Sequence, residues 1–329
     1  MNEFEDIKHK INIRNIKSTF IIKIIFSYLC EKEKLDMITY NKELQKILQV
    51  DIKIYKKISN KYKLGKRNGE GKEYIKNTNI LVFEGEYLNG KRNGIGKEYD
   101  NDKLIFEGVY LKGKRNGKGK EYYDNGEVKF EGEYLNGERN GKGKEYNDYG
   151  ELKFEGEYLN GERNGKGKEY NDNDELIFEG EYLNGKRNGK GREYDNDKLI
   201  FEGVYLNGNR NGKGKEYYNS GGLIYEGEYL NGKRNGKGKE YYYNGGLKYE
   251  GEYLNGERNG KGKEYYYDNN GLEYEGEYLN GKRNGKGKEY YYNGELKYEG
   301  EYLNGNRNRK GKEYNYLNVN KLEYIFNEK

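Results

Sequence analysis

Along most of this chain, apolar and polar positions alternate with a period of two, and the alternation itself recurs. Phe83-Glu84-Gly85-Glu86-Tyr87-Leu88 sets rings and charges at successive positions, the pattern of a strand with two unlike faces. Asn89-Gly90-Lys91-Arg92-Asn93-Gly94 follows, holding two Asn-Gly pairs, the strongest short hairpin signal. A return strand is predicted from Ile95 to Tyr99, with a turn on Asp100-Asn101-Asp102 leading onward. The unit restarts at Phe83, Phe106, Phe130, Phe154, Phe178, Phe201, Tyr225, Tyr249, Tyr274 and Tyr298, a period of 23 to 25 residues. Periods of that length mean a stacked array in which each unit leans on its neighbours.

With a six-residue loop from Asn89 to Gly94, Leu88 faces Ile95, Tyr87 faces Gly96 and Glu86 faces Lys97. Tyr87 then covers the bare backbone of Gly96, and Glu86 gains an opposite-charge partner. Phe83, Gly85, Tyr87 and Gly96 share one face in this register, while Glu84, Glu86 and Lys97 share the other. Gly94, Phe106, Gly108 and Tyr110 complete the positions expected to define the repeat. The fold class is mainly β: an elongated single-sheet array of consecutive hairpins with a small α-helical head. Residues 1–64 are read as the head and 65–329 as the array, with ten full repeats and partial units at both ends.

Ahead of the array the period changes. Ile16, Phe20, Ile21, Ile24, Ile25, Tyr28 and Leu29 recur at three- and four-residue spacing, as on an amphipathic helix capped by Ser18. Leu35, Ile38, Leu44, Ile47 and Leu48, then Ile54, Tyr55 and Ile58, suggest further short helices.

Composition supports folding through rings. Hydrophobic residues make up 32% of the 329 and charged residues 36%, a balance that would argue for disorder without the 40 Tyr and 10 Phe. Tyr suits a layer covered on one side and wet on the other. Cys30 is the single cysteine, so no internal disulfide forms. The apolar run from Phe20 to Cys30 is too short for a membrane span and is broken by Lys23, and no secretory leader is read at the start. A cytoplasmic protein is expected. Residues 1–64 hold 14 basic and 8 acidic residues, which leaves 48 against 49 for the remainder. An array so close to neutral lacks the one-signed field that nucleic acid or anionic lipid requires, and neither is expected as a partner.

The segment Tyr225 to Gly238, Tyr-Glu-Gly-Glu-Tyr-Leu-Asn-Gly-Lys-Arg-Asn-Gly-Lys-Gly, resembles the MORN repeat, and the likeness runs from about residue 65 to 326. Tyr stands where that repeat commonly has Trp, and Asn where His often follows the loop Arg. The resemblance implies hairpins in a twisted, groove-like sheet and a scaffolding or dimerising role. Ile24-Ile25-Phe26-Ser27-Tyr28-Leu29 with Leu35 is similar to the core of an F-box, although the usual Leu-Pro start is missing. That likeness implies docking of a Skp1-like adaptor by residues 1–64; a plain helical cap on the first strand is the alternative.

Catalytic chemistry finds little material. His9 is the only histidine, and the serines are Ser18, Ser27, Ser59 and Ser220, so no nucleophile-base pair recurs with the array. The carboxylates alternate with Lys in what reads as a solvated ladder, and no cofactor or metal is expected. Gly113 to Lys118 imitates a phosphate loop but precedes a strand instead of a helix, and Asp195-Asn196-Asp197 is turn chemistry and not a calcium loop. The loop arginines, Arg92 to Arg307, are read as structural, with phosphate gripping the alternative. Tyrosines thicken toward the C-terminus, and Tyr229, Tyr242, Tyr253, Tyr266, Tyr278 and Tyr291 are the candidate partner-binding residues, because Tyr is enriched at interface hot spots. The expected function is a non-enzymatic protein-binding scaffold, a homodimer among the possibilities; the alternatives are a ubiquitin-ligase substrate adaptor and a membrane tether.

Overall fold

The computed structural model describes residues 42–48, 61–76, 78–315 and 324–325. Within them lie one short helix, α1 (Lys42–Leu48), and antiparallel strands each paired with its sequence neighbour. The chain divides into two compact units, residues 1–116 and 117–329. In the first, β1 (Lys61–Gly65), β2 (Gly69–Ile75), β3 (Leu81–Leu88), β4 (Lys91–Asp100) and β5 (Lys103–Leu111) form a meander. In the second, the meander runs hairpin after hairpin from residue 117 to Glu313, and the short strand Tyr324–Ile325 adds to its last edge. The predicted helix from Ile16 to Leu29, the F-box-like segment and Cys30 lie outside the described residues. No helix among the described residues is long and apolar enough to cross a membrane.

The hairpins are there, but their loop is shorter than the sequence reading had it. Leu88 pairs with Lys91 and Tyr87 with Arg92, so Asn89 and Gly90 alone make the turn. Their φ values of 52° and 78° are both positive, which is what the two-residue turn matching strand twist demands. The second Asn-Gly is no turn: Gly94 sits at φ 83° inside a bulge, and regular pairing resumes with Gly85 opposite Gly96. Glu84, and not Glu86, therefore stands across from Lys97. Glu86 folds over the bulge, where its Oε1 accepts the Ile95 amide at 3.2 Å. Glu157, Glu181 and Glu252 do the same for the amides of Lys166, Lys190 and Lys261.

Rings interlock above the glycines. Phe83 is fully buried and meets Tyr87 of its own strand edge-on at 5.6 Å and Tyr110 of the following repeat at 5.1 Å. The same pairs recur in the second unit, as in Phe130 with Tyr134 at 5.6 Å and with Tyr158 at 5.1 Å. T-shaped geometry at these separations is the favoured one for aromatic pairs. The cover on Gly96 is Phe83, not Tyr87: a Cβ added at Gly96 would lie 2.3 Å from the tip of the Phe83 ring. Tyr87 instead lies on Gly71 of the preceding strand. From Tyr225 onward Tyr replaces Phe at the first position, and its hydroxyl donates to a backbone carbonyl, as Tyr249 does to Glu252 at 3.3 Å.

Candidate functional site

Two strips of surface follow the repeat, the first along the array and the second mainly in its later repeats. The first is a chain of ions lying on the rings. Arg92 stacks over the Phe83 ring at 4.1 Å while its guanidinium reaches Glu73 at 2.7 Å and Glu98 at 3.0 Å; Arg115 takes the other Glu98 oxygen at 2.6 Å. In the second unit Arg139 joins Glu121 at 2.7 Å and Glu145 at 2.9 Å, and Arg163 joins Glu145 at 2.5 Å and Glu169 at 3.4 Å. Arg187, Arg210, Arg234, Arg258, Arg283 and Arg307 continue the alternation. Phe83 pairs with Glu98 across the ladder, which puts these carboxylates on the ring side of the sheet. The division into an aromatic face and a charged face is corrected accordingly: the aromatic face carries its own ion chain. Burial pushes the Glu98 carboxyl up, but Arg115 and then Arg92 outweigh it and hold it below the usual carboxylate range. Glu240 is lowered in the same way, burial being overcome by Arg258. Arginines already clamped by two carboxylates and a ring have no hand left for phosphate, so their structural reading is the one the geometry supports.

The second strip lies at the turns between hairpins. At the position where two repeats carry Asn147 and Asn171, an earlier one carries Tyr123, whose hydroxyl donates to the Tyr146 carbonyl at 2.8 Å, and the later ones carry Tyr218, Tyr242, Tyr266 and Tyr291. Each of these half-buried hydroxyls donates to a backbone carbonyl of the following repeat, on Tyr241, Tyr265, Tyr290 and Tyr314, at 3.2, 2.9, 2.7 and 2.8 Å. One residue further, Tyr243, Tyr267 and Tyr292 stand exposed, at 67%, 48% and 55%. Each outer ring rests against an inner ring of the preceding repeat: Tyr218 with Tyr243 at 5.3 Å, Tyr242 with Tyr267 at 5.0 Å, Tyr266 with Tyr292 at 5.5 Å.

This arrangement sorts the candidate tyrosines. Tyr229, Tyr253 and Tyr278 are buried at 4% in the ring layer and present nothing to a partner. Tyr242, Tyr266 and Tyr291 form the supporting row. The exposed outer row, Tyr243, Tyr267 and Tyr292, was not among the candidates, and its signal in the sequence is that each is the last ring before a turn built on Asn or Asp. Phe83, Gly85, Tyr87, Gly94, Gly96, Phe106, Gly108 and Tyr110 all occupy structural positions of the repeat. A further regularity is the leucine that closes each hairpin: Leu88 and Leu111 in the first unit, and Leu135 through Leu303 in the second, each about half exposed.

Residues 61–79, 83–104, 106–128, 130–150, 154–175, 178–199, 201–223, 225–247, 249–271, 274–295 and 298–315 each match the family model described as the MORN repeat. No curated protein matches the chain. Among solved structures, a crystal structure of TarM is similar at 14% identity, covering 40% of this chain and 27% of its own, with a TM-score of 0.24. A crystal structure of TcdB2-TccC3 is similar at 12% identity over 79% of this chain and 16% of its own, with a TM-score of 0.16. The chain spans about a quarter of the length of TarM, and similarity this low carries no argument.

Proposed function

Because the chain belongs to the MORN-repeat family, we propose that it is a non-enzymatic scaffold that holds protein partners along its repeat surface. The observation that carries this reading is the division of labour between ions and apolar groups. The ring-face arginines and glutamates are spent on one another and on the rings, whereas a half-exposed leucine recurs from hairpin to hairpin, opposite an exposed residue that is Lys in some repeats, as at Lys233, and Glu in others, as at Glu257. Leu206, Leu230 and Leu254 are three successive members of that row. A repeated leucine edge flanked by charges of both signs suits protein association better than an anionic surface, since attraction to phosphates needs a field of one sign.

The test is light scattering of the purified full chain together with affinity capture from its native host. The same two measurements are made on a Leu206→Asp/Leu230→Asp/Leu254→Asp variant that keeps the parent circular dichroism spectrum. Self-association or specific protein capture that the variant loses supports the scaffold. Capture indifferent to the three changes, or strong binding to anionic vesicles that high salt abolishes, contradicts it.

A further inference from the structure

The outer tyrosine row has a spacing and a charge setting that together select a kind of ligand. Tyr243, Tyr267 and Tyr292 occupy equivalent turns of successive repeats, so two strands separate each from the next. At about 4.8 Å per strand, the rings recur about every 9.6 Å along a line that crosses the strands. A polyproline II helix has three residues per turn and rises about 3.1 Å per residue, so it shows the same face every 9.3 Å or so. The two periods differ by about 0.3 Å per step, small enough to keep register over three rings. An α-helix returns the same face after two turns, at about 10.8 Å, and drifts by more than 1 Å per ring. An extended β-strand shows one face about every 6.7 Å and meets alternate rings out of phase.

The row's outer rings stand proud because each is propped on an inner ring, whose hydroxyl is tied to the next repeat's backbone. The outer rings accordingly form a spaced, exposed aromatic row, the kind of surface on which proline-rich segments dock. Its charge is mixed: the exposed carboxylates Asp268, which follows Tyr267, and Glu295, three residues beyond Tyr292, lie on these turns, and Lys248 and Lys297 sit over the inner rings of Tyr242 and Tyr291 at 5.8 and 5.7 Å. Among the described residues neither carboxylate forms an ion pair, and Lys248 and Lys297 reach Glu240 and Glu289 at 4.0 and 3.9 Å, carboxylates that Arg258 and Arg307 already hold, so Asp268 and Glu295 are the acidic groups open to a basic residue.

We infer that the turn edge bearing Tyr243, Tyr267 and Tyr292 is a docking site for a proline-rich segment in polyproline II conformation that carries a basic residue beside its prolines. The prolines recur every third residue and seat between the rings, and the basic residue meets Asp268 or Glu295. The occupant is another molecule, since this chain contains no proline. The inference rests on the scaffold reading and narrows it to one surface and one partner chemistry.

The test is calorimetric titration of the full-length chain with a synthetic peptide of about nine residues, Arg-x-x-Pro-x-x-Pro in pattern. A peptide of identical composition in scrambled order is the control. Saturable binding of the patterned peptide is expected. Tyr267→Ala should weaken it by about tenfold or more, as for a central aromatic anchor, and Asp268→Asn should weaken it and flatten its salt dependence. Tyr149→Ala, which removes an 82% exposed tyrosine from another turn, should leave it unchanged. Absence of binding, equal binding of the scrambled peptide, or equal loss in Tyr149→Ala overturns the site. If partner capture then persists and still depends on the leucine row, the scaffold survives and only the tyrosine edge is lost.

Discussion

A single missing Cβ governs whether a repeat closes. At Gly167 an added methyl would lie 2.3 Å from the tip of Phe154, a ring that is itself fully buried. Gly167→Ala should therefore cost about 1–3 kcal/mol through overpacking, read as a lower denaturant midpoint. The tyrosines make a second residue-scale prediction. Burial, followed by the hydrogen bond to a glutamate, pushes the phenols of Tyr99, Tyr146, Tyr170 and Tyr217 up to about 12. A group raised in the folded state contributes stability that is whole below its unfolded value, about 10, and is lost as pH climbs through 12. Ultraviolet titration should thus show most phenols ionising together with unfolding above pH 11 or so, and not in a smooth transition centred near 10. The ring-side carboxylates work in the opposite sense. Glu98, Glu193 and Glu240 are lowered, so their contribution is present above the ordinary carboxylate range and fades as pH falls below it.

At the scale of the element, the bulged hairpin is the unit that sequence patterning described incompletely. Period two located the strands and set Phe83, Gly85 and Tyr87 on one face, and Asn-Gly located the turn. Register was misread because Arg92-Asn93-Gly94 has loop composition, whereas backbone hydrogen bonding draws Arg92 into the ladder and relegates Gly94 to a bulge. The partner-binding tyrosines went astray for a related reason. Alternation puts Tyr229 on the face of Tyr225, yet nothing in a linear pattern says that arginines roof that face. Departures at two positions of the repeat test the element. Lys112 takes the turn position that Asn holds elsewhere, at φ 50°. Asn tolerates the left-handed region far better, so Lys112→Asn should stabilise by up to about 1 kcal/mol. Val204, like Val109, stands where the other repeats place a glutamate over the bulge, and its side chain lies over Gly212. Val204→Glu should restore the bond to the Lys213 amide and add about 0.5–1.5 kcal/mol. Thermal denaturation of the two variants reads both effects.

At the scale of the whole molecule, among the described residues of each compact unit, every repeat is held by its neighbours. Within each unit a first-position ring touches its own hairpin and the next, as Phe154 does with Tyr158 and Tyr182, and arginines of the ion chain bridge carboxylates one repeat apart, as Arg163 does between Glu145 and Glu169. The Asn-Gly turns lean on the repeat before. The Gly161 amide, for example, donates to the Arg139 carbonyl at 2.9 Å, and Gly232 to Arg210 at 2.9 Å. Damage in such a structure should spread by proximity, since stability is the sum of unit terms and nearest-neighbour terms. The most direct measurement is amide hydrogen exchange, by mass spectrometry, on the full chain and on Phe201→Ala. That change removes a fully buried ring between Tyr205 and Tyr229, at 5.8 and 5.3 Å. Protection should collapse in the repeats around residues 178–240 and recover progressively with distance, leaving residues 130–150 close to the parent. Loss of protection across residues 117–315 in one uniform step would contradict the nearest-neighbour account and point to a single cooperative core instead.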